Sequence, residues 1–343
     1  MKMVKFAKIY LWILVAAVCL WQLPSWWNFL TADASSTPFV LYSALADDFV
    51  IKKTVDGKSV CELSDGSRIA RKEYDSLLPD YFCRQLASEN RLPDTILGRA
   101  VSLKYLNDEN LSMRIKPEQI FGPQIPLYQL MESQSGRVDL EMPDDVFRMT
   151  ETGIEFVRKI DNTIDEEKSQ MFTQAFDSAY FNFPALEIAS NLSEKKKYDN
   201  GFLLVDARNR IFNMKMAKGK PVIEKIELPH GIVPRHCFVT EFAGRHTLGL
   251  FFDKDNYLYA ITLPAKETKK VDIPPLNLED DEVLIMGNIF SWTIRVKNDK
   301  QIAWYAVDSQ DFKLKKTYAV DQEDSSVKGL TFIKNDWVRL GWR

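Results

Sequence analysis

The longest continuous hydrophobic segment of the chain lies near its N-terminus. Three lysines within the first eight residues precede an apolar run from Ile9 to Leu23. As a helix this run rises about 22 Å, and the apolar residues before it, with lysine side chains reaching the headgroups, extend it towards the roughly 30 Å of a hydrocarbon core. The pattern predicts one transmembrane helix.

The residues that flank this run predict its orientation. Aromatic residues cluster between Trp21 and Phe29, where the outer interface of a membrane should lie, and Pro24 predicts that the helix breaks there. The first charged residues after the run are acidic, Asp33 and Asp47. The positive-inside rule therefore predicts a single-pass protein of the inner (cytoplasmic) membrane, with a cytoplasmic N-terminus and a periplasmic or extracytoplasmic C-terminal domain.

A cleaved signal peptide is the alternative interpretation of the same segment. Ala32-Asp33-Ala34 is an A-x-A triplet that would allow cleavage before Ser35. The triplet lies far from the apolar run, and bulky tryptophans fill a region that should be small and polar. A lipoprotein signal at Cys19 fits less well, because Val18 precedes it and apolar residues follow. The sequence favours an uncleaved anchor.

After the anchor, short alternating patterns predict strands and helical spacings predict two helices. Two strands are predicted within Asp48–Ile69 and a hairpin within Val146–Lys159. Apolar residues at helical spacing predict amphipathic helices over 71–89, with Pro79 as a flaw, and over about 165–180. The residues 103–130 are predicted to form short extended pieces interrupted by prolines.

The last part of the chain is β in pattern and repeats itself. An apolar strand, a polar turn and a second strand recur at Leu203–Phe212, Leu250–Ala260 and Trp292–Trp304, with a shorter copy at Leu330–Val338. Units of about 40 to 50 residues with two hairpin strands are typical of β-propeller blades. The fold is predicted to be mainly β, propeller-like or another antiparallel repeat of hairpins, with a sandwich as the alternative. The strands of Asp48–Ile69 and Val146–Lys159 should complete blades or close the ring.

These elements suggest three regions along the chain. Residues 1–34 form the cytoplasmic stub and anchor, 35–135 a mixed α/β lead-in, and 136–343 a β-rich domain with a helical insertion near 165–180. The net charge is −3, with 45 Lys and Arg against 48 Asp and Glu, so a nucleic-acid partner is excluded. The runs Lys195–Lys197 and Glu279–Glu282 are predicted to be solvated loops.

Candidate chemistry is sparse. Cys61 and Cys83 could bridge in an oxidising compartment and leave Cys237 free, or all three could be small buried residues. No nucleophile elbow, dinucleotide-binding fingerprint or P-loop occurs, so no catalytic residue and no cofactor are predicted.

One group of residues could bind a metal. His236, Cys237, Glu241 and His246 offer imidazole, thiolate and carboxylate ligands, which suit zinc or copper. His236 and His246 are predicted to face each other across a strand–turn–strand. Because a ligand-spacing motif is missing, the favoured interpretation gives His236, Glu241 and His246 structural roles. Asp253-Lys254-Asp255-Asn256 resembles a calcium loop faintly, and a hairpin turn explains it better.

Several stretches resemble one known group of proteins. Phe183–Asp206, Tyr74–Pro79 with Arg91–Asp94, and Tyr259–Pro264 resemble an uncharacterised family of membrane-anchored envelope proteins from Bacteroides-type bacteria, a domain of unknown function. That family is often associated with ABC-type transporter components. The resemblance therefore implies a permease or ATPase component as a partner, and it supplies no catalytic residues.

Two classes of function follow from the sequence. The first is a non-catalytic accessory or binding subunit of an ABC-type transporter or another envelope complex. The second is a ligand- or metal-binding enzyme domain with its site at the mouth of a propeller, where loops from several blades meet. The anchor, the β scaffold and the family resemblance favour the accessory subunit.

Overall fold

The computed structural model describes residues 2–31, 37–55, 58–134, 140–193, 195–321, 330–334 and 338–342. Its first element is helix α1 (Lys2–Thr31), in which the segment Lys5–Leu23 is long and apolar enough to cross a membrane. None of that segment is buried against the rest of the fold. The predicted hydrophobic helix is confirmed, and the apolar side chains of its segment Lys5–Leu23 are not buried by the rest of the protein.

The remaining helices are short, and the strands dominate. The helices that follow α1 are α2 (Arg71–Leu77), α3 (Cys83–Ser88), α4 (Leu103–Glu109), α5 (Pro117–Phe121) and α6 (Glu166–Ser178). The strands of the first half are β1 (Phe39–Ser43), β2 (Asp48–Val55), β3 (Lys58–Leu63), β4 (Thr95–Ile96), β5 (Arg99–Ala100), β6 (Leu111–Ile115), β7 (Asp145–Met149) and β8 (Ile154–Arg158). Those of the second half are β9 (Glu187–Ser190), β10 (Phe202–Val205), β11 (Ile211–Ala217), β12 (Lys220–Ile226), β13 (Pro234–Val239), β14 (Thr247–Asp253), β15 (Leu258–Thr262), β16 (Thr268–Lys270), β17 (Glu282–Gly287), β18 (Ser291–Lys297), β19 (Gln301–Asp308), β20 (Leu314–Asp321), β21 (Leu330–Lys334) and β22 (Val338–Trp342).

Three consecutive antiparallel meanders form the centre of the fold. The first blade is β9–β10–β11–β12, the second is β13–β14–β15–β16, and the third is β17–β18–β19–β20. Strand β6 pairs with β17 and becomes the outermost strand on that edge of the third blade. A three-stranded N-terminal sheet, β1–β2–β3, and the hairpins β7–β8, β4–β5 and β21–β22 complete the described strands.

The blades pack face to face because the central strands are apolar on both sides. On β14, Phe251 joins Leu203 of the first blade in one core, whereas Phe252 joins Ile294 of the third blade in another. Neighbouring residues of a strand point to opposite faces, so a strand between two cores must be apolar throughout. All seven residues of β14 are buried.

The same packing continues at both ends of the series. Phe147 of β7 shares a core with Phe202 of the first blade and with α6, and Phe49 of β2 shares one with Trp304 of the third blade. The order of sheets is therefore β7–β8, first blade, second blade, third blade, N-terminal sheet. The prediction of a mainly β, propeller-like fold is confirmed. Among the described residues no core cluster joins the two end sheets, so closure of the ring stays a prediction.

The turns show the internal repeat most clearly. The Asp206 carboxylate accepts hydrogen bonds from the backbone N–H groups of Arg208 and Arg210 in the first blade, both at 2.9 Å. The Asp253 carboxylate accepts equivalent bonds from Asp255 and Tyr257 in the second blade, also at 2.9 Å. The hairpin-turn explanation of the Asp253 loop is thus supported by its own hydrogen bonds.

Three predicted elements differ in the structure. Helix α1 continues through Pro24 to Thr31, since a proline removes one N–H and leaves the remaining helical bonds in place. The single helix predicted over 71–89 is two helices, α2 and α3, because Pro79 excludes Leu78 from the helical region. The extended pieces predicted over 103–130 include helices α4 and α5.

Several other predictions are confirmed or lie outside the described part. The hairpin β7–β8 and the helix α6 lie where the pattern predicts them. The cleavage triplet Ala32–Ala34 and the turn at Asp56 lie outside the described residues. The division at residue 135 stays a prediction, although β6 from the lead-in region pairs with a strand of the third blade.

Candidate functional site

A cleft of about 890 Å³, here called the central cleft, lies where several sheets end. Strands β6, β9 and β13 each lie at the end of their sheet and all contribute residues to it. Residues of α5 and of the chain that follows it, as far as Tyr128, line the other side. The central cleft is thus the place where three neighbouring sheets end beside one another.

Glu187 of β9 connects two of these edges. Its two carboxylate oxygens accept hydrogen bonds from the backbone N–H groups of His236 and Cys237 on β13, at 2.6 and 2.5 Å. The register of β13 against β14 shifts between Arg235 and Cys237, and His236 has φ of +46° there. A β-bulge leaves N–H groups outside the ladder, and Glu187 satisfies them. Burial raises the pKa of Glu187, and the two hydrogen bonds from Cys237 and His236 partly oppose that rise.

His236 lines the same cleft. Its ring packs edge-on against the Phe121 ring of α5, with 5.5 Å between centroids. Burial, and secondarily the positive charge of Arg235, lowers the pKa of His236. A half-buried imidazole against an aromatic ring favours the neutral form.

Glu241 also lines the central cleft, and its carboxylate is bonded into the fold. It accepts hydrogen bonds from Lys196 Nζ at 2.9 Å, from the Asn200 backbone N–H at 2.7 Å and from Asn191 Nδ2 at 2.8 Å. Lys196 Nζ also contacts the Asp199 carboxylate at 2.6 Å. Burial raises the pKa of Glu241, and the hydrogen bond from Lys196 opposes that effect.

The buried lysine corrects a sequence-based expectation. The run Lys195–Lys197 is predicted to be a solvated loop, yet the Lys196 side chain is 5% exposed. Its neighbour Lys197 is 68% exposed and pairs with Asp108 at 2.9 Å. A charge run on a loop does not reveal which of its members meets buried carboxylates from two other segments.

The remaining members of the predicted metal group have separate partners. His246 Nε2 is 2.7 Å from Glu109 Oε2 and lines a different cavity. Burial raises the pKa of the Cys237 thiol, which belongs to the core between the first and second blades. In the part of the chain that the structure describes, no three His, Cys, Asp or Glu side chains are grouped so as to hold a metal ion. His236 and Glu241 share the central cleft, and His246 does not join them.

Cys61 and Cys83 are also buried free thiols, whereas Cys19 on α1 is exposed. Cys61 belongs to the core beneath α2, and Cys83 at the start of α3 belongs to another core. Of the two interpretations that the sequence leaves open, the structure agrees with the one in which these cysteines are small buried residues. Cys61 and Cys83 do not form a disulfide in it.

Exposed apolar side chains adjoin the central cleft. Ile125, Leu127 and Leu186 line it, and the Phe121 ring packs against His236, which also lines it; all four residues are between 50% and 76% exposed. These four residues are here called the apolar rim. Exposed apolar groups gathered around a cleft are a feature of interaction surfaces. Sequence reasoning missed the rim, because its residues follow no helical or strand period.

Comparisons with known proteins give a family and distant structural likenesses. The model of a family described as a domain of unknown function (DUF4857) matches residues 39–307. No curated protein matches the chain.

Solved structures with some likeness include the WD40 domain of SCAP from fission yeast, at 9% identity and a TM-score of 0.34, which covers 86% of this chain and 75% of that one. The β-propeller domain of Cps50 (Swd1) from Myceliophteria thermophila has 9% identity and a TM-score of 0.26, covering 81% and 67%. Dihydro-heme d1 dehydrogenase NirN in complex with DHE has 9% identity and a TM-score of 0.25, covering 74% and 65%. With TM-scores this low, these likenesses carry no conclusion about this chain.

Proposed function

This chain belongs to the DUF4857 family of domains of unknown function, and from its own anchor and surfaces we propose that it is a membrane-anchored, non-catalytic accessory protein. Its β-rich part binds another envelope protein on the far side of the membrane. The partner, as the family resemblance implies, is a component of an ABC-type transporter, and of its permease and ATPase components the membrane-embedded permease is the one with a surface on that side.

The observation that carries the proposal is that α1 is both apolar and exposed. Its segment Lys5–Leu23 is apolar enough to span a bilayer, and none of it is buried in the fold. Leaving the apolar residues of this 19-residue segment in water is unfavourable by many kcal/mol at roughly 25 cal/mol per Å² of exposed apolar surface. Insertion into a membrane removes that cost, and an uncleaved helix then keeps the β-rich part at the membrane surface.

The orientation of the anchor follows from its flanking charges. The lysines that precede the apolar segment remain in the cytoplasm by the positive-inside rule. The β-rich part then lies in the periplasm or outside the cell, and the partner must expose a surface there.

The chemistry of the central cleft supports binding rather than catalysis. The carboxylates of Glu187 and Glu241 are both bonded to groups of the fold itself. A general base or a metal ligand must instead direct its oxygens at a reacting group or an ion. The residues of the apolar rim, by contrast, are at least half exposed in the part of the chain that the structure describes. This contrast is the reason to prefer a docking surface to a ligand- or metal-binding enzyme site at the propeller mouth.

The experiment is affinity purification of the tagged full-length protein from mildly solubilised native membranes, with mass spectrometry of co-purifying proteins. A near-stoichiometric transporter component, together with an intact mass that includes residues 1–34, is the expected result. An Ile125→Asp variant should lose that component because a charge enters the apolar rim. Ile160→Asp is the matched control, since Ile160 is 94% exposed on the turn after β8 and outside the rim.

Three results would contradict the proposal. Recovery of the protein alone would show that it has no stable partner under these conditions. Recovery of a form that starts at Ser35 would show that the helix is cleaved and does not anchor the protein. Equal loss of the partner from both aspartate variants would leave the rim without a role in binding.

A further inference from the structure

A second cavity, of about 470 Å³, lies between the helical segment and the edges of two sheets. Strands β1, β6 and β17 form its wall, and the residues between α2 and α3 close it on the other side. This volume is in the range of pockets that enclose small molecules. Here it is called the Asp80 cavity, because Asp80 is its most buried charged residue.

The Asp80 carboxylate has a neutral partner. Asn288, in the turn between β17 and β18, donates its side-chain N–H to Asp80 Oδ2. The orientation of the Asn288 amide is fixed, since its oxygen accepts from the backbone N–H groups of Phe290 and Ser291 at 2.8 and 2.9 Å. Asn110 Nδ2 holds the Asp80 carbonyl oxygen at 2.7 Å. Both contacts position the carboxylate without neutralising its charge.

A cationic partner for this carboxylate is missing within the described chain. Among the described residues, no Lys, Arg or His nitrogen lies within 4.0 Å of an Asp80 carboxylate oxygen. Asp80 is only 8% exposed. Arg84 lines the cavity, but it is exposed and donates its Nε–H to Asn107 Oδ1 at 2.9 Å. A buried carboxylate without a counter-charge is unfavourable. Burial accordingly raises the pKa of Asp80 to about 6.

The rest of the wall is apolar and aromatic. Leu41, Leu78 and Met286 provide hydrocarbon surface, and Tyr81 and Phe82 provide rings. The faces of aromatic rings attract cations. A carboxylate forms a charge-assisted hydrogen bond with an ammonium group. A ligand that suits all of these groups carries one positive charge and a compact hydrophobic body.

We propose that the Asp80 cavity binds a small organic cation, an amine whose ammonium group pairs with the Asp80 carboxylate while its hydrocarbon part lies against Leu78, Met286 and the two rings. No covalent step is involved. The site is separate from the apolar rim, so the proposal holds or fails independently of the partner at the membrane.

The test is isothermal titration calorimetry on the full-length protein in detergent, with three probes of similar shape. These are 2-phenylethylammonium, the neutral 2-phenylethanol and the anionic 3-phenylpropionate, each corrected for its titration into empty micelles. The cation should bind at least tenfold more tightly than the other two, since a hydrogen-bonded charge pair of about 1.5–3 kcal/mol corresponds to roughly 10- to 150-fold in affinity.

Two further measurements make the result specific to Asp80. Asp80→Asn should abolish the preference for the cation, whereas Asp255→Asn, on an exposed turn of the second blade, should leave it unchanged. Binding to the wild type should weaken between pH 7.5 and pH 5, because protonation removes the negative charge. The other ionisable side chains that line the cavity are Tyr42, Tyr81, Cys83 and Arg84, and none of them is a carboxylic acid or a histidine.

Any of three outcomes would overturn the proposal. The first is the absence of heat for all three probes at millimolar concentration. The second is equal affinity for the three probes. The third is a preference for the cation that survives in Asp80→Asn or does not change with pH, because either would place the recognition elsewhere.

Discussion

Replacing Lys196 by methionine should destabilise the protein far more than the same change at Lys197. The two side chains are adjacent in sequence and differ in their surroundings. Lys196 Nζ bonds to Asp199, Glu241 and the Asn191 carbonyl oxygen at 2.6, 2.9 and 2.7 Å, and the Glu241 side chain is fully buried. The substitution keeps the hydrocarbon length and leaves two carboxylates without their cation.

The expected magnitude follows from that loss. Breaking a buried ion pair by removing one partner costs about 3–5 kcal/mol. At roughly 2–3 °C per kcal/mol for a large domain, the melting temperature should fall by about 6–15 °C. Lys197→Met removes only an exposed pair with Asp108, worth about 0.2–1 kcal/mol.

The assay is thermal unfolding in detergent, followed by the fluorescence of the buried Trp292 and Trp304, at pH 8 and pH 5. Without Lys196 the pKa of Glu241, already raised by burial, should rise further. The folded variant then binds a proton more readily than the unfolded chain, so its stability increases as the pH falls. The deficit against wild type should shrink at pH 5. Equal melting temperatures for the two methionine variants, or a deficit independent of pH, would refute the reasoning.

The other predictions concern the bulge and the thiols. Glu187→Gln should lower the stability by about 1–3 kcal/mol in denaturant titration, because His236 and Cys237 donate to different carboxylate oxygens and an amide replaces one of these acceptors with an NH2 donor; Glu267→Gln, on an exposed loop, should have little effect, and similar losses in both would contradict this role. In non-reducing denaturant, alkylation should modify Cys61 and Cys83 as free thiols, whereas the folded protein should protect them; a mass two hydrogens lower would indicate a bridge.

Local patterns predicted the elements whose residues interact with near neighbours in sequence. The hairpins of the blades are examples, since an apolar strand, a turn with Asp206 or Asp253 and a second strand form one continuous segment. The long apolar segment of α1 is another. The short helices α4 and α5 were missed because residues at their N-termini, and not apolar periodicity, determine where they begin. Ser102 accepts from the Tyr105 N–H at the start of α4, and Pro117 begins α5.

The candidate sites could not be predicted in the same way, because distant segments build them. Glu187 and His236 are 49 residues apart, and Asp80 and Asn288 are 208 residues apart. Neither carboxylate lies in a motif that marks it in the sequence. Which distant residues meet depends on how the sheets and helices stack, and periodicity within one sheet carries no information about that.

The most direct test of the accessory role is photo-crosslinking in native membranes from a photoreactive amino acid placed at Ile125, with Ile160 as the control position. A crosslink from position 125 to a transporter component, absent from position 160, is the predicted result. No crosslinked protein from position 125, or the same products from both positions, would contradict the proposal that the apolar rim is where this anchored protein meets its partner.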